Sequence, residues 1–316
     1  MEHNASFLAL LTVCIYLILN SCKPAVPIDF DDVVIEPTAD LSNILISEIL
    51  PDPLNGGVEF VEIYNNSTKI IDLNTLQIAS SNSTGKRSKL HPLSGSSSYI
   101  YPNSYKLLSK NSAIIESYYP VPDISALHTM SSFPVLTNSN GAVILFSNEK
   151  IIDSLYYEIS MHDPFIKSPK GVSLERVSFQ KATNSPGNFI SAAASPGYST
   201  PGYRNSQQEN LAVSGPVIYL SSKTFLPNKN ESLVINFNFK QGGQMMNISI
   251  YNRQGKTVRV LYKNHRLGTV DQAVWDGKDA HNEQLPPGVY RLHIEIYDAF
   301  GNLKKYSEDC VLSDQL

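Results

Sequence analysis

The chain consists of short hydrophobic runs separated by Gly, Pro, Ser and Asn. In some runs apolar and polar residues alternate, and in others the apolar residues are consecutive. From residue 44 onward, no eleven-residue window repeats its apolar positions with the helical period of 3.6. Alternating runs bounded by turn residues are typical of strands. The main predicted strands are Ile44–Ile49, Val58–Tyr64, Ile70–Ile78, Tyr105–Leu108, Ala142–Phe146, Ile151–Tyr157, Leu233–Phe239, Asn247–Tyr251, Lys256–Leu261 and Val289–Tyr297. The pattern predicts an all-β chain.

Two of these elements are especially clear. A hairpin is predicted where two apolar runs, Ala142–Phe146 and Ile151–Tyr157, are separated by the four residues SNEK. In the strand Val289–Tyr297, four apolar residues alternate with polar ones, so they are expected to face the core together. These four are Tyr290, Leu292, Ile294 and Ile296.

Polar stretches divide the chain into segments. Residues 206–216 are polar and follow SPGYSTPGYRN, in which Pro and Gly oppose regular structure. We therefore predict a first domain at 43–205, a linker at 206–216 and a second domain at 217–316. Residues 22–42 are rich in proline and acid, which predicts an extended tether.

The N-terminal run from Ala5 to Leu19 is mostly apolar. A membrane-spanning helix needs roughly 20 residues, whereas the apolar region of a secretory signal has about 7–15. The run ends in Leu19-Asn20-Ser21-Cys22, which resembles the lipobox of bacterial lipoproteins. The resemblance implies a signal peptide at 1–21 and acylation (palmitate) of Cys22. Residues 1–4 lack the Lys or Arg usual in a signal, and a plain signal or short anchor remains the alternative.

Cysteine content agrees with this assignment. Of the three cysteines, Cys14 would leave with the signal and Cys22 would carry lipid, so Cys310 would stand alone. The mature chain would then contain no intramolecular disulfide, and the role of Cys310 stays open. The formal net charge is −4, which argues against a surface that binds polyanions in bulk.

The first domain resembles the lamin-tail domain (LTD) family at both its start and its end. The matching segments are Ser47–Ile49, Asp52-Pro53, Glu59–Asn65 (EFVEIYN), Asp72-Leu73, Gly171–Ser178 (GVSLERVS) and Thr200–Asn205 (TPGYRN). The aromatic residue near the family's closing loop corresponds to Phe189. This resemblance implies an immunoglobulin-like β-sandwich.

The second domain resembles the Ig-like domain of the flagellar hook-capping protein (FlgD). The matching segments are Ile250-Tyr251 followed by Gly255, Val274–Gly277 (VWDG) and Leu285–Tyr290 (LPPGVY). Trp275 is the one tryptophan of the chain and is expected to fill the core of a small sandwich. The predicted fold class is therefore all-β, with two tandem immunoglobulin-like β-sandwiches.

Catalytic chemistry has little support in the sequence. Glu59 and Glu62 lie three apart on a strand and so face opposite sides, which predicts solvated or loop-capping carboxylates. A calcium site at Asp52, Asn55 and Glu59 lacks the spaced ladder of a calcium loop. The histidines are not spaced as metal ligands, and no nucleotide or nucleophile motif occurs. We predict no catalytic residues, metal or cofactor, and hence a protein that is not an enzyme.

Tyrosine is abundant, with 17 residues. Tyr99 and Tyr101, Tyr118-Tyr119 and Tyr156-Tyr157 cluster in the first domain, and a strand must turn one of two consecutive rings outward. Exposed tyrosines suit a protein interface or a glycan surface.

These features predict an outer-membrane lipoprotein, held by lipid on Cys22, that acts as a structural or protein-interaction subunit of a cell-envelope assembly. A β-barrel outer-membrane protein is the expected partner. The alternatives are a surface protein that binds glycan or matrix, and an accessory module of an exported nuclease; the acidic first domain disfavours nucleic acid. Asp29, Asp31 and Asp32 resemble an acidic signal for surface export, so the cell surface is preferred to the periplasmic face.

Overall fold

The computed structural model describes residues 43–215, 217–298 and 300–314. The predicted signal peptide (1–21), the lipidation residue Cys22 and the tether (22–42) lie outside the described residues. Within those ranges, no helix reaches the length and apolarity needed to cross a membrane.

Twenty strands and five short 3₁₀ helices make up the described chain. The strands of the first half are β1 (Ile44–Leu50), β2 (Phe60–Asn65), β3 (Ile71–Asp72), β4 (Leu76–Ser81), β5 (His91–Pro92), β6 (Tyr99–Ile100), β7 (Tyr105–Ser109), β8 (Leu127–Thr129), β9 (Asn140–Ser147), β10 (Lys150–Glu158), β11 (Leu174–Arg176) and β12 (Phe189–Ser191). Those of the second half are β13 (Ile218–Leu220), β14 (Thr224–Phe225), β15 (Leu233–Asn238), β16 (Met245–Tyr251), β17 (Thr257–Arg266), β18 (Val270–Trp275), β19 (Gly288–Tyr297) and β20 (Leu303–Leu312). The 3₁₀ helices are Leu73–Thr75, Ser112–Ser117, Ile124–Ala126, Ile159–Met161 and Pro227–Lys229.

The N-terminal sandwich packs a six-stranded sheet against a four-stranded one. The six strands run in the order β12-β11-β1-β2-β7-β8, the four in the order β10-β9-β4-β5, and β3 pairs with β6 in a small separate sheet. Apolar residues of both sheets, including Ile46, Val61 and Leu145, form one buried core. Phe189 also lies in this core, with Arg176 over its ring at 5.2 Å. The predicted all-β class is confirmed.

The predicted hairpin is present as β9 and β10. Its turn is tighter than expected, because Ser147 and Lys150 already pair across the ladder. Asn148 and Glu149 both have positive φ, at 46° and 64°, which is the requirement of a two-residue type I′ turn.

The predicted strand Ile70–Ile78 is wrong as one element. The chain divides it into β3, a 3₁₀ turn at Leu73–Thr75, and β4. Asp72 causes the break, because its Oδ1 accepts the backbone N–H of Asn74 at 2.9 Å and caps the turn. The two pieces therefore belong to different sheets.

A buried ion pair ties the two sheets of the N-terminal sandwich together. Arg176 Nη2 lies 3.2 Å from Asp153 Oδ2, and Arg176 is fully buried. The same Asp153 oxygen accepts Ile46 N–H at 2.8 Å, beside the irregularity between Ile46 and Glu48 in β1. Arg176 Nε donates to Ile46 O at 2.6 Å. Both charged groups are thus satisfied by backbone as well as by each other, which a buried pair requires.

The exposed edge of β10 is closed by a side chain. Tyr156 N–H donates to Asn184 Oδ1 at 2.9 Å, and Asn184 Nδ2 donates to Ser154 O at 2.8 Å. The Asn184 amide therefore occupies the place of a neighbouring strand.

The C-terminal sandwich has sheets of three and five strands. Their orders are β13-β15-β18 and β14-β20-β19-β16-β17. Tyr290, Leu292, Ile294 and Ile296 of β19 are buried, as the alternation predicts. Trp275 is fully buried, lies 5.4 Å from the rings of both Phe225 and Tyr290, and donates its indole N–H to Lys278 O at 2.9 Å.

Replacing Trp275 by alanine should destabilise the C-terminal sandwich by about 3–5 kcal/mol, because it removes the largest side chain of the core and leaves a cavity. The measurement is urea denaturation followed by far-UV circular dichroism. Val274→Ala is the matched control, since Val274 is the preceding residue and is exposed; it should change stability by less than about 1 kcal/mol. Similar losses in both variants would contradict the core role of Trp275.

Candidate functional site

Three buried glutamates stand side by side on the face of the six-stranded sheet that is turned away from the main core. In the antiparallel registers, Glu48 of β1 is the direct partner of both Glu62 of β2 and Glu175 of β11. All three are fully buried. We call them the glutamate row. Like charges directly opposite one another destabilise a sheet, so this arrangement needs compensation.

The compensation comes from residues 199–207, which we call the closing segment. Glu48 Oε1 accepts from Ser199 Oγ (2.7 Å) and from Thr200 N–H (3.1 Å). Glu62 Oε2 accepts from Gly202 N–H at 2.6 Å. The segment thus caps two carboxyl groups with its backbone and hydroxyl donors.

The third glutamate binds the end of the closing segment. Glu175 Oε2 accepts from Ser206 Oγ at 2.7 Å and from Gln207 N–H at 2.9 Å. Asn205 Nδ2 also donates to two backbone carbonyls, those of Ser47 and Arg176, at 3.0 Å each. The segment is therefore fixed along its whole length.

Thr200 lies between two carboxyl groups of the row. Its Oγ1 lies 3.0 Å from Glu48 Oε2 and 2.8 Å from Glu175 Oε1. A hydroxyl carries one hydrogen, so it can donate to only one of these oxygens. The other contact is a hydrogen bond only when that carboxyl is protonated and donates to the hydroxyl.

Burial raises the pKa of all three carboxyl groups. For Glu175, burial and the neighbouring Glu48 raise the pKa to about 7. Burial raises the pKa of Glu48, and burial together with Glu48 raises that of Glu62 well above 4.5. Glu62 Oε1 is the one buried side-chain oxygen or nitrogen of the described residues without a hydrogen-bond partner. The Ser47 hydroxyl, on the adjoining strand, donates to Asn205 Oδ1.

Glycine is required where the closing segment meets the row. Gly202 has φ +85°, and a Cβ there would lie 2.8 Å from Ala126 Cβ. A larger residue would be strained and would move the N–H away from Glu62.

The closing segment also joins the two sandwiches. Thr269 N–H donates to Ser206 O at 2.8 Å, and Gln207 Nε2 donates to Leu267 O at 3.0 Å. Gly243 N–H donates to Gln207 Oε1 at 2.8 Å. Gly242 permits this close approach, because a Cβ there would lie 2.3 Å from Gln207 Oε1. Residues 206–207 of the predicted linker are thus docked, whereas 211–215 are mostly exposed; the domain boundaries themselves stay a prediction.

A second contact between the sandwiches is ionic. Arg266 of β17 pairs with Asp163 and donates from Nε to Ser191 O at 2.8 Å. Both side chains of the pair are nearly buried. His162 lies beside it, and burial and Arg266 lower the pKa of His162 to about 4.

The structure separates the two glutamates that the sequence compared. Glu62 belongs to the row, whereas Glu59 lies just before the start of β2, and its Oε2 accepts Leu136 N–H at 3.1 Å. Both cap loops, as predicted, but the expectation that they could be solvated is wrong for Glu62. Asp52 binds Asn138 and Lys170. No group of three His, Cys, Asp or Glu in the described ranges is arranged to hold a metal ion.

The tyrosine pairs divide between core and surface. Tyr156 is 65% exposed while Tyr157 is buried, and Tyr119 is buried beside a half-buried Tyr118. Tyr99 and Tyr101 are exposed and line a groove of about 530 Å³ together with Ser97, Asn103, Lys106 and Asp123.

An exposed apolar face occurs on the three-stranded sheet of the C-terminal sandwich. Val270 and Val274 of the edge strand β18 are 64% and 47% exposed, and Tyr219 of β13 is 47% exposed. Tyr219 and Gln272 both lie opposite Asn236, on the same face. A groove of about 430 Å³ runs from Val270 to the closing segment.

Sequence reasoning missed the glutamate row, although a signal was present. Each of the three acids lies within a stretch that is mostly apolar or small: ILISEIL, FVEIYN and VSLERV. Acidic residues in such runs are rarely fully buried unless they are paired. Their alignment needs the strand register, which one sequence does not provide.

Residues 37–158 match the family model Lamin Tail Domain. This is about two fifths of the chain. The opening part of the predicted resemblance is thereby confirmed, while the closing part (171–205) lies beyond the match. In the structure, β11 and β12 nevertheless pair into the same sheet as β1.

Solved structures give weaker similarities. FlgD from P. aeruginosa is 15% identical with a TM-score of 0.24, covering 31% of this chain and 76% of that one. PorZ, described as a surface component of the type-IX secretion system of Porphyromonas gingivalis, is 13% identical with a TM-score of 0.25, covering 55% of this chain and 21% of that one. Dimeric latent PorU from the same organism is 10% identical with a TM-score of 0.26, covering 93% and 22%.

The chain spans about a fifth of the length of PorZ and PorU. All three TM-scores lie below 0.5, so these similarities carry no functional argument. No curated protein matches the chain.

Replacing Glu175 by glutamine should stabilise the protein at high pH and leave it unchanged at low pH. The folded chain holds the Glu175 proton more tightly than the unfolded chain does. The contribution of this tighter proton binding to the free energy of unfolding is therefore complete below pH 4.5, and it is lost as pH rises through about 7. Glutamine keeps a donor toward Thr200 at every pH. We expect a stability difference near zero at pH 4.5 that grows to about 1–3 kcal/mol at pH 8.

The measurement is the difference in the free energy of unfolding between variant and wild type, obtained from urea denaturation at each pH. A difference is needed because the histidines change the stability of both proteins with pH in the opposite direction. Burial lowers the pKa of His91, His128, His162 and His265, so their contribution is lost as pH falls. A difference that does not change with pH would contradict the assignment of the proton to the row.

Proposed function

We propose that this chain is a non-catalytic outer-membrane lipoprotein that serves as a protein-interaction subunit of a cell-envelope assembly. The observation that carries this proposal is the exposed apolar face of Val270, Val274 and Tyr219. Edge strands of sheets normally carry protective charge, and exposed apolar patches mark interaction sites. The outward positions of β18 are instead Val, Gln and Val.

The buried acids support a structural role. Of the six oxygens in the glutamate row, five accept or share hydrogen bonds with the protein's own residues. These groups hold the closing segment and are not presented to a substrate. We propose that the two sandwiches act as one block that displays the apolar face.

Glycan binding is the second candidate. The groove beside Tyr99 and Tyr101 supports it, since exposed aromatic rings next to hydroxyl, amide and charged side chains are the groups that bind sugars. The interaction face is preferred because Val270, Val274 and Tyr219 would bury more apolar surface against a protein partner.

Replacing Cys22 by alanine should release the protein from membranes, because the proposed lipid is its anchor and several acyl chains are needed for stable attachment. The measurement is carbonate extraction followed by fractionation. Cys14→Ala is the matched control, since Cys14 lies within the predicted signal and should not change partition. Membrane retention of the Cys22 variant would point to a different anchor.

A photo-reactive amino acid at Val270 or Val274 should capture a partner protein in intact cells. The control position is Ser307, which is exposed on the polar outer face of the five-stranded sheet. The double variant V270E/V274E should lose co-purification of that partner by at least tenfold while remaining folded. Equal adducts at Ser307, or full retention by the double variant, would contradict this face as the interface.

A further inference from the structure

The closing segment has two sets of contacts that share the same residues. Ser206 and Gln207 donate to Glu175 in the N-terminal sandwich. The same two residues bind Thr269, Leu267 and Gly243 in the C-terminal sandwich. Anything that displaces Ser206 and Gln207 from Glu175 therefore also disturbs the junction between the sandwiches.

We propose that the glutamate row is a proton-operated latch. A proton shared by Glu48 and Glu175 through Thr200 keeps the closing segment in place, and loss of that proton releases the segment together with its contacts to the C-terminal sandwich.

The first support is the hydrogen count at Thr200. Two carboxylate oxygens lie within 3.0 Å of one hydroxyl oxygen, and one hydrogen cannot serve both. When the shared proton leaves, one contact becomes a repulsive approach of an oxygen lone pair to a carboxylate.

The second support is Glu62. Its Oε1 is buried and has no partner among the described residues, although Glu62 directly opposes Glu48 in the sheet. An ionised Glu62 would place a third buried charge beside the pair, with a hydrogen bond from Gly202 to only one of its two oxygens, and a buried charge that is incompletely hydrogen-bonded is costly. The row therefore favours bound protons on independent geometric grounds.

Among the described residues, no cationic side chain forms an ion pair with Glu48, Glu62 or Glu175, although Arg266 is close enough to Glu175 for a weaker charge interaction. The titratable and charged groups that face the row or adjoin it are Tyr64, Tyr105, Tyr119, Tyr203, Arg204 and Arg266. Burial raises the pKa of Tyr203 to about 12 and that of Tyr105 further, so these phenols stay neutral. Arg266 pairs with Asp163, and Arg204 donates to the carbonyls of Gln208 and Glu209.

Release of the segment is the available way to hydrate the charges. Residues 199–207 form no strand or helix, and their donors to the row are a main part of what fixes them. Cross-strand neighbours lie about 5 Å apart, so the sheet itself cannot separate the three carboxylates. Lifting the segment admits water and weakens the repulsion.

The junction between the sandwiches would loosen without separating. The ion pair of Arg266 and Asp163 does not involve the closing segment. It remains as a tether when Ser206 and Gln207 withdraw. The expected open state is thus a movable pair of folded sandwiches.

The test is amide hydrogen exchange of the chain from residue 23 onward, at pH 5.5, 7 and 8.5, with each rate corrected for its intrinsic pH dependence. The reporters are the amides of Thr200, Gly202 and Gln207, which donate to the row. Their protection should fall about tenfold per pH unit above neutral, since opening releases one proton. The amide of Val61, in the core, is the reference and should stay protected.

Variants and a second reporter make the test specific. E175Q should keep the protection of Gly202 and Gln207 within threefold between pH 5.5 and 8.5, because glutamine supplies the missing hydrogen at every pH. E48Q serves in its place if E175Q does not fold, and Glu116→Gln, at an exposed site, is the control that should behave as wild type. The amide of Thr269 reports on the junction.

Protection in the wild type that does not change with pH, or an equal fall in E175Q, would overturn the latch. Loss of protection at Gln207 with an unchanged Thr269 would overturn its coupling to the C-terminal sandwich. An equal loss of protection at the Val61 amide would overturn the latch itself, because the chain would then be unfolding as a whole.

Discussion

Three carboxyl groups aligned across neighbouring strands and removed from water constrain the rest of the N-terminal sandwich. Burying them is unfavourable unless hydrogen-bond donors surround them. The donors are hydroxyl and backbone N–H groups of the closing segment, which would otherwise have little reason to lie against a sheet. The composition of this segment, its glycine at position 202 and its docking against the second sandwich all follow from the need to satisfy the glutamates.

The same constraint explains why the junction between the sandwiches is polar. The junction combines a buried ion pair, Arg266 with Asp163, with hydrogen bonds of Ser206 and Gln207. Such polar contacts stabilise one arrangement of the two sandwiches strongly only while every buried polar group has its hydrogen-bond partner. The exposed apolar face of β18 begins at Val270, directly beside Thr269, so the arrangement of the sandwiches and the proposed interaction face are physically connected.

Much of the fold is accessible from the sequence, because local alternation records which face of a strand is buried. The buried face of β19 and the hairpin of β9 and β10 follow from it, and the burial of Trp275 follows from its size in a small sandwich. The break at Asp72 was missed because a capping carboxylate looks like any other polar residue within a β pattern. The glutamate row was missed for a deeper reason: it depends on which strands are neighbours and on their register. The polar residues near 206 suggested a solvated linker, yet they are polar because they face buried carboxylates.

The Asn184 side chain has a consequence for how such a protein behaves in a crowded compartment. A nine-residue strand at the border of a sheet offers free N–H and C=O groups to any extended chain that meets it. Asn184 occupies both groups at the middle of that border, so an approaching strand finds no continuous set of partners. One amide thus blocks strand pairing between copies at this edge without adding charge, and it leaves the exposed ring of Tyr156 accessible beside it.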